Sequence, residues 1–253
     1  MYTIVLATQK GGSGRTTLAI GLALAAIQAG HTVRLIETDS RGTLSNWQAR
    51  RPFAEPIVEP VYVAGEIEQR LRSLSQSGVT LTIIDTAGGV SAATATAIRC
   101  ADLCLIPARP TVADIEATAS TLHTVRANDK PFAFVLNQTP IRGQRINNAA
   151  TALSDEAASD MSGVLAQPFI VMRNDHQDAL SAGLAVSEYA PQSKSADEVR
   201  GLWQWVEAKL TAVELNTQAI VEEQPIIGEL PDSPDMLRTM FMPALTETPA
   251  LVS

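Results

Sequence analysis

Short apolar runs recur along most of the chain, and each is followed by a stretch with apolar residues at helical spacing. The runs predict strands at 2–8, 32–38, 58–63, 79–85, 102–107, 131–137 and 164–170. The stretches between them predict helices at 16–29, 65–77, 91–99, 111–127 and 143–161, with two more near 175–183 and 195–212. Runs such as Tyr2-Thr3-Ile4-Val5-Leu6-Ala7 are apolar at consecutive positions, as in a strand buried on both faces. Strand and helix in alternation, with short connections, imply an α/β domain: a mostly parallel sheet with helices on both faces. No internal repeat interrupts this order. From residue 213 the periodicity fades and prolines and acids take over, so 1–212 is expected to be one folded domain and 213–253 an acidic, proline-containing, disordered tail.

The first strand leads into Gln9-Lys10-Gly11-Gly12-Ser13-Gly14-Arg15-Thr16-Thr17, and a Leu/Ala/Ile-rich helix follows, ending at Gly30. Strand, glycine loop and helix start together form an anion cradle: backbone N–H groups converge on the ligand and the helix dipole adds positive character. Gly11, Gly12 and Gly14 allow close approach to phosphate oxygens, Ser13 lies among them, and Thr16 is placed to offer a hydroxyl to Mg²⁺, with Thr17 adding a second hydroxyl nearby. The loop departs twice from G-x-x-x-x-G-K-[ST]: Gln9 replaces the first glycine and Arg15 the lysine. Two strands end in acids. Asp85 closes Val79–Asp85 and is expected to hold the metal, directly or through water. Asp39 follows Val33–Glu37 and is expected beside the phosphates, orienting the attacking water or the metal's water shell.

These residues resemble the deviant Walker A ATPases of the ParA/MinD group, whose loop reads K-G-G-x-G-K-[ST], against Lys10–Thr16 here. Glu37-Thr38-Asp39-Ser40-Arg41 is similar to the group's D-x-D-P-Q, with Glu, Ser and Arg at three of its positions. Asp85-Thr86-Ala87-Gly88-Gly89 resembles its second acidic motif, and that stretch is also similar in the VirC1 mobilisation family. The segment from Arg173 to Lys194 looks like the group's closing helix and turn. The resemblance implies a P-loop NTPase three-layer fold and an ATPase that uses ATP and Mg²⁺. It implies a homodimer closed over ATP, with Lys10 reaching the partner's nucleotide, and an asparagine, Asn137, contacting adenine. It further implies nonspecific DNA binding by the ATP dimer and a partner protein that stimulates hydrolysis. Arg15 keeps the charge but is wider than an ammonium and presents a fixed plane, which predicts slow hydrolysis.

A net charge of −8 argues at first against DNA binding. The segment from 213 carries −6 of it, leaving −2 for the rest, so local basic patches remain open. Candidates are Arg142 with Arg145, and Arg41 with Arg50 and Arg51; solvated surface charge is the alternative for each. Cys100 and Cys104 have no histidine or second pair nearby and read as buried, reduced thiols. The chain has no apolar run near the eighteen or so residues of a membrane span and no signal-peptide pattern at its start, so a cytoplasmic location without membrane binding is expected. Within the tail, Met236–Met242 is an apolar island that reads as a docking segment or a membrane anchor. Three functions stand against one another: an ATPase that partitions or positions DNA or another cargo, a nucleotide-gated scaffold with little turnover, and a membrane switch of the MinD kind.

Overall fold

The computed structural model describes residues 1–89, 91–158 and 161–223. It divides into two compact units, Met1–Glu214 and Leu215–Ser253; of the second, the described part is the final run of a helix to Glu223. Beyond Glu223, the expected tail and its Met236–Met242 island lie outside the described residues.

In the first unit six strands form one parallel sheet: β1 (Tyr2–Leu6), β2 (Val33–Glu37), β3 (Ile57–Pro60), β4 (Leu81–Asp85), β5 (Leu103–Ala108) and β6 (Phe132–Leu136). Their order is β3-β2-β4-β1-β5-β6. Both faces are covered, as the unbroken apolar runs require. Ile4 and Leu6 of β1 enter one core with helix α1 (Arg15–Gln28), while Val5 and Ala7 enter a second core on the opposite face. The same split recurs at Leu35 and Ile36, and at Ile83 and Ile84. Each such Val, Leu or Ile side chain, fully buried, contributes about 1.5–3 kcal/mol. The second core is closed by α3 (Ala64–Gln76), α4 (Ala92–Arg99), α6 (Thr118–Ala127) and α7 (Gln144–Ala157).

The register decides what meets at the carboxyl edge. Leu6 pairs with Asp85, and Glu37 pairs with Asp85 on the other side. The loop that leaves β1 therefore stands beside the acid that ends β4. β1 lies between β4 and β5, where the order of the strands reverses, and such a crevice is where open α/β sheets hold ligands.

Several elements differ from the sequence expectation. Residues 164–170 form no ladder strand. The segment runs alongside β6 with isolated bridges, Phe134 to Leu165 and Thr139 to Val171, and Pro168 within it has no N–H to give. The helix expected over 111–127 is two, α5 (Val112–Glu116) and α6, with the Thr118 hydroxyl donating to the Ile115 carbonyl at the join. A helix not foreseen, α2 (Thr43–Arg50), follows β2. Its sequence is mostly polar, and its start is held by Glu37, whose buried carboxylate accepts from the amides of Leu44 (2.6 Å) and Ser45 (3.2 Å). The remaining helices are α8 (Met161–Val164), α9 (Asn174–Ser181), α10 (Val186–Tyr189) and α11 (Lys194–Glu223); α11 continues past the end expected at 212. Trp203 of α11 is buried edge-on against His31, and Trp205 packs half-buried against the first core. Cys104 is fully buried, its thiol pushed up to about 12 by that burial, and Cys100 is half-buried and also free.

Candidate functional site

The loop Gln9–Gly14 turns from β1 into α1 through Gly14, whose left-handed backbone (φ 89°) starts the helix. A side chain there would be strained and would also run into Asn137 Nδ2. From below, Asn137 and Gln138 at the end of β6 brace the loop. Asn137 Nδ2 donates to the Ser13 carbonyl (2.8 Å) and Gln138 Nε2 to the Gly12 carbonyl (2.9 Å). Asn137, expected at adenine, thus spends its amide nitrogen on the loop. It also lines a cavity of about 120 Å³ with Gly14, Thr17, Met172, Arg173 and His176. Gln138 was not singled out by the sequence, although it directly follows Asn137.

Arg15 sits inside the loop at 8% exposure. Its Nη1 donates to the carbonyls of Thr8 (2.7 Å) and Lys10 (3.2 Å). Burial lowers the guanidinium's hold on its proton; Asp85 and Asp39 work against that, and Arg41 adds to it. The other loop cation, Lys10, donates its ammonium to Asp114 Oδ2 at 2.9 Å. Asp114 is buried and also accepts from Arg109 Nε (2.9 Å) and the Thr111 hydroxyl (2.5 Å). Burial alone raises the Asp114 carboxyl, but Arg109, Thr111 and Lys10 together outweigh it and hold the group below its ordinary value. Lys10, expected at a partner's nucleotide, is here engaged with its own chain.

Thr16 Oγ1 donates to Asp85 Oδ2 at 2.6 Å. Burial pushes the Asp85 carboxyl up to about 7, with Thr16 and Arg15 lowering it and Glu37 and Asp39 raising it. Among the described residues, buried Asp85 Oδ1 has no hydrogen-bond partner, and neither has Ser13 Oγ. A hydroxyl and an under-satisfied carboxylate at the foot of a phosphate cradle are hard oxygen donors, and they fit Mg²⁺. Among the described residues no group of three or more His, Cys, Asp or Glu could hold a metal unaided. A cation here would rest on Thr16, Asp85 and the phosphates themselves, the usual holding of Mg²⁺. Asp39, half-buried nearby, has its Oδ1 turned to the amide (3.0 Å) and Nε (3.4 Å) of Arg41.

The basic candidates divide. Arg142 and Arg145 are both exposed at the start of α7. Arg51 is a structural residue instead: it forks onto Glu188 (2.8 and 2.7 Å) over the Trp47 ring. Arg50 donates to the Leu180 carbonyl at 3.2 Å. The patch Arg41–Arg50–Arg51 therefore does not exist as a free basic face.

A parallel sheet, a glycine loop at its switch point, and a helix-start threonine bonded to the acid of the neighbouring strand define the P-loop NTPase class. The VirC1 protein family model matches residues 1–182. Protein virC1 of Rhizobium radiobacter is 31% identical over 193 residues, covering 72% of this chain and 80% of that protein. The chromosome-partitioning ATPase Soj of Thermus thermophilus is 24% identical over 242 residues, covering 82% of this chain and 96% of Soj. Among solved structures, the septum site-determining protein MinD of Pyrococcus horikoshii, complexed with Mg-ADP, superposes with a TM-score of 0.67 at 16% identity, over 84% of this chain and 98% of that one. The chain belongs to the VirC1 family, within the ParA-like P-loop ATPases.

Proposed function

We propose that this chain binds Mg-ATP on the Gly11–Thr17 loop, dimerises over it, hydrolyses it slowly, and by that cycle positions DNA or another cargo. The observation that carries the reading is the Thr16–Asp85 pair at the foot of the loop, with Asp85 Oδ1 left without a partner. When bound, Mg²⁺ neutralises phosphate charge and draws electrons toward itself. The protein's own groups do the rest. Loop amides and the N-terminus of α1 hold the phosphates. Asn137 and Gln138 fix the loop carbonyls so that those amides stay aimed. Asp39 stands where a carboxylate can orient a water, and Lys10 is the cation that crosses to a second copy.

Slow turnover follows from Arg15. Its Nη1 is committed to two carbonyl oxygens, so one face of the guanidinium is withdrawn from the phosphates. The same observation favours a second reading, a nucleotide-gated scaffold in which ATP controls dimerisation and hydrolysis only resets it. Turnover measured with and without DNA and a co-encoded partner separates the two: stimulation supports the ATPase cycle, and a flat low rate supports the scaffold.

Nonspecific DNA binding by the dimer is assigned to Arg142 and Arg145, both exposed and three positions apart in the chain. An electrophoretic shift that needs ATP, weakens with salt and is lost in Arg142→Ala/Arg145→Ala supports this; a shift indifferent to ATP contradicts it. No helix among the described residues is long and apolar enough to cross a membrane; we keep a cytoplasmic location without membrane attachment as part of the proposal.

A further inference from the structure

We propose that Arg41 contacts the terminal phosphate of a bound nucleoside triphosphate from within the same chain, across the gap above Gly88, and so selects triphosphate over diphosphate. The inference rests on the nucleotide reading above and adds a residue to it.

Arg41 stands on the turn between β2 and α2, its side chain 72% exposed. Asp39 Oδ1 holds both its amide and its Nε, which sets the direction of the side chain. Its terminal nitrogens make no hydrogen bond among the described residues. They face the glycine pair after β4. A Cβ built on Gly88 would lie 3.9 Å from Arg41 Nη2, 3.3 Å from Arg15 Nη2 and 3.6 Å from the Gln9 carbonyl. Two guanidinium ends thus border one small gap, and the gap exists because residue 88 has no side chain.

Like charges repel, and an exposed arginine has solvent to turn to. Two arginines facing one gap suit an anion placed between them, and a guanidinium fork matches the oxygens of a phosphate. Arg15 has only its Nη2 side left for that task, because Nη1 is bound to Thr8 and Lys10. Arg41 supplies the charge that Arg15 withholds. The direction agrees. The cavity beside Asn137 and His176 lies toward β6, whereas Arg41 follows β2, on the other side of β1 in the sheet. A nucleotide with its base in that cavity and its phosphates along the loop points its last phosphate toward Gly88 and Arg41.

The test compares dissociation constants for Mg-ADP and for the Mg complex of the β,γ-imido analogue of ATP. The proteins are the natural chain, Arg41→Ala, Arg41→Lys and Gly88→Ala. The natural chain should prefer the triphosphate. Arg41→Ala should lose about ten- to a hundredfold of triphosphate affinity and leave ADP within about twofold. Arg41→Lys should recover part of the loss, and Gly88→Ala, which fills the gap, should reproduce it. Arg41 is exposed, so its variants should melt with the natural chain. Equal losses for both nucleotides, or no loss in Arg41→Ala while the natural chain binds both, overturn the assignment of Arg41 alone. Failure of the natural chain to bind either nucleotide overturns the nucleotide reading and this inference together.

Discussion

Thr16 Oγ1 lies 2.6 Å from Asp85 Oδ2, joining the first turn of α1 to the end of β4. It leaves the other carboxylate oxygen buried and without a partner. A carboxyl whose proton affinity is raised by folding favours the folded state at low pH. That advantage is complete below the unfolded value of 3.8 and is lost as pH climbs through about 7. The nucleotide-free protein should therefore lose stability between pH 4 and 7, by at most on the order of 4 kcal/mol, from this group. Asp85→Asn, neutral at every pH, should flatten that slope in chemical denaturation and remove the Mg²⁺ dependence of nucleotide binding. An unchanged slope would show that Asp85 is ionised in the folded chain throughout.

Arg15→Lys replaces a guanidinium tied to two carbonyls by a compact ammonium free to reach phosphate. Steady-state ATP turnover should rise at least about tenfold, since misplacement by roughly 1 Å costs about a hundredfold. A variant slower than the natural protein would assign Arg15 a direct catalytic task.

In the proposed dimer, Lys10 would have to leave Asp114 before it could serve a second copy. Asp114→Asn weakens that hold while preserving shape. The ATP concentration at half-maximal dimerisation should fall about three- to tenfold, with a loss of roughly 1–2 kcal/mol in monomer stability from the hydrogen bonds weakened at Asp114. Analytical ultracentrifugation across an ATP titration reads the first effect and urea melts the second. A rise in the ATP required would mean that the pair supports the dimer.

Arg51 is only 2% exposed and bidentate with Glu188, which also caps α10 by accepting from the Ala185 amide. Glu188→Ala leaves that guanidinium buried without its partner and should cost about 3–5 kcal/mol. Glu188→Gln, which keeps part of the hydrogen bonding, should cost less. Thermal melts of the two variants check the order, and equal losses would refute the assignment of an ion pair.

Much of this was legible in the sequence because burial on both sheet faces writes itself as consecutive apolar residues. β1, β4 and β5 are such runs, and the loop after β1 carries its own glycine signature. What stayed hidden depends on contacts distant in sequence. α2 reads as a polar turn because the group that starts it, Glu37, belongs to β2. The 164–170 run has strand composition, yet Pro168 interrupts the ladder it would make. In the site, the residue types were visible but not their partners. Lys10 and Asp114 are 104 positions apart, and Arg51 and Glu188 are 137 apart. Spacing along the chain cannot tell such an arginine from one on an open basic face.

ATP held on this loop should bring two chains together through Lys10. Light scattering coupled to size exclusion, run without nucleotide, with Mg-ADP and with a non-hydrolysable Mg-ATP analogue, decides it. The protein should be a monomer in the first two conditions and double its mass in the third, and Lys10→Ala should stay a monomer throughout. A mass that ignores the nucleotide, or a Lys10→Ala protein that still dimerises with the analogue, would contradict it.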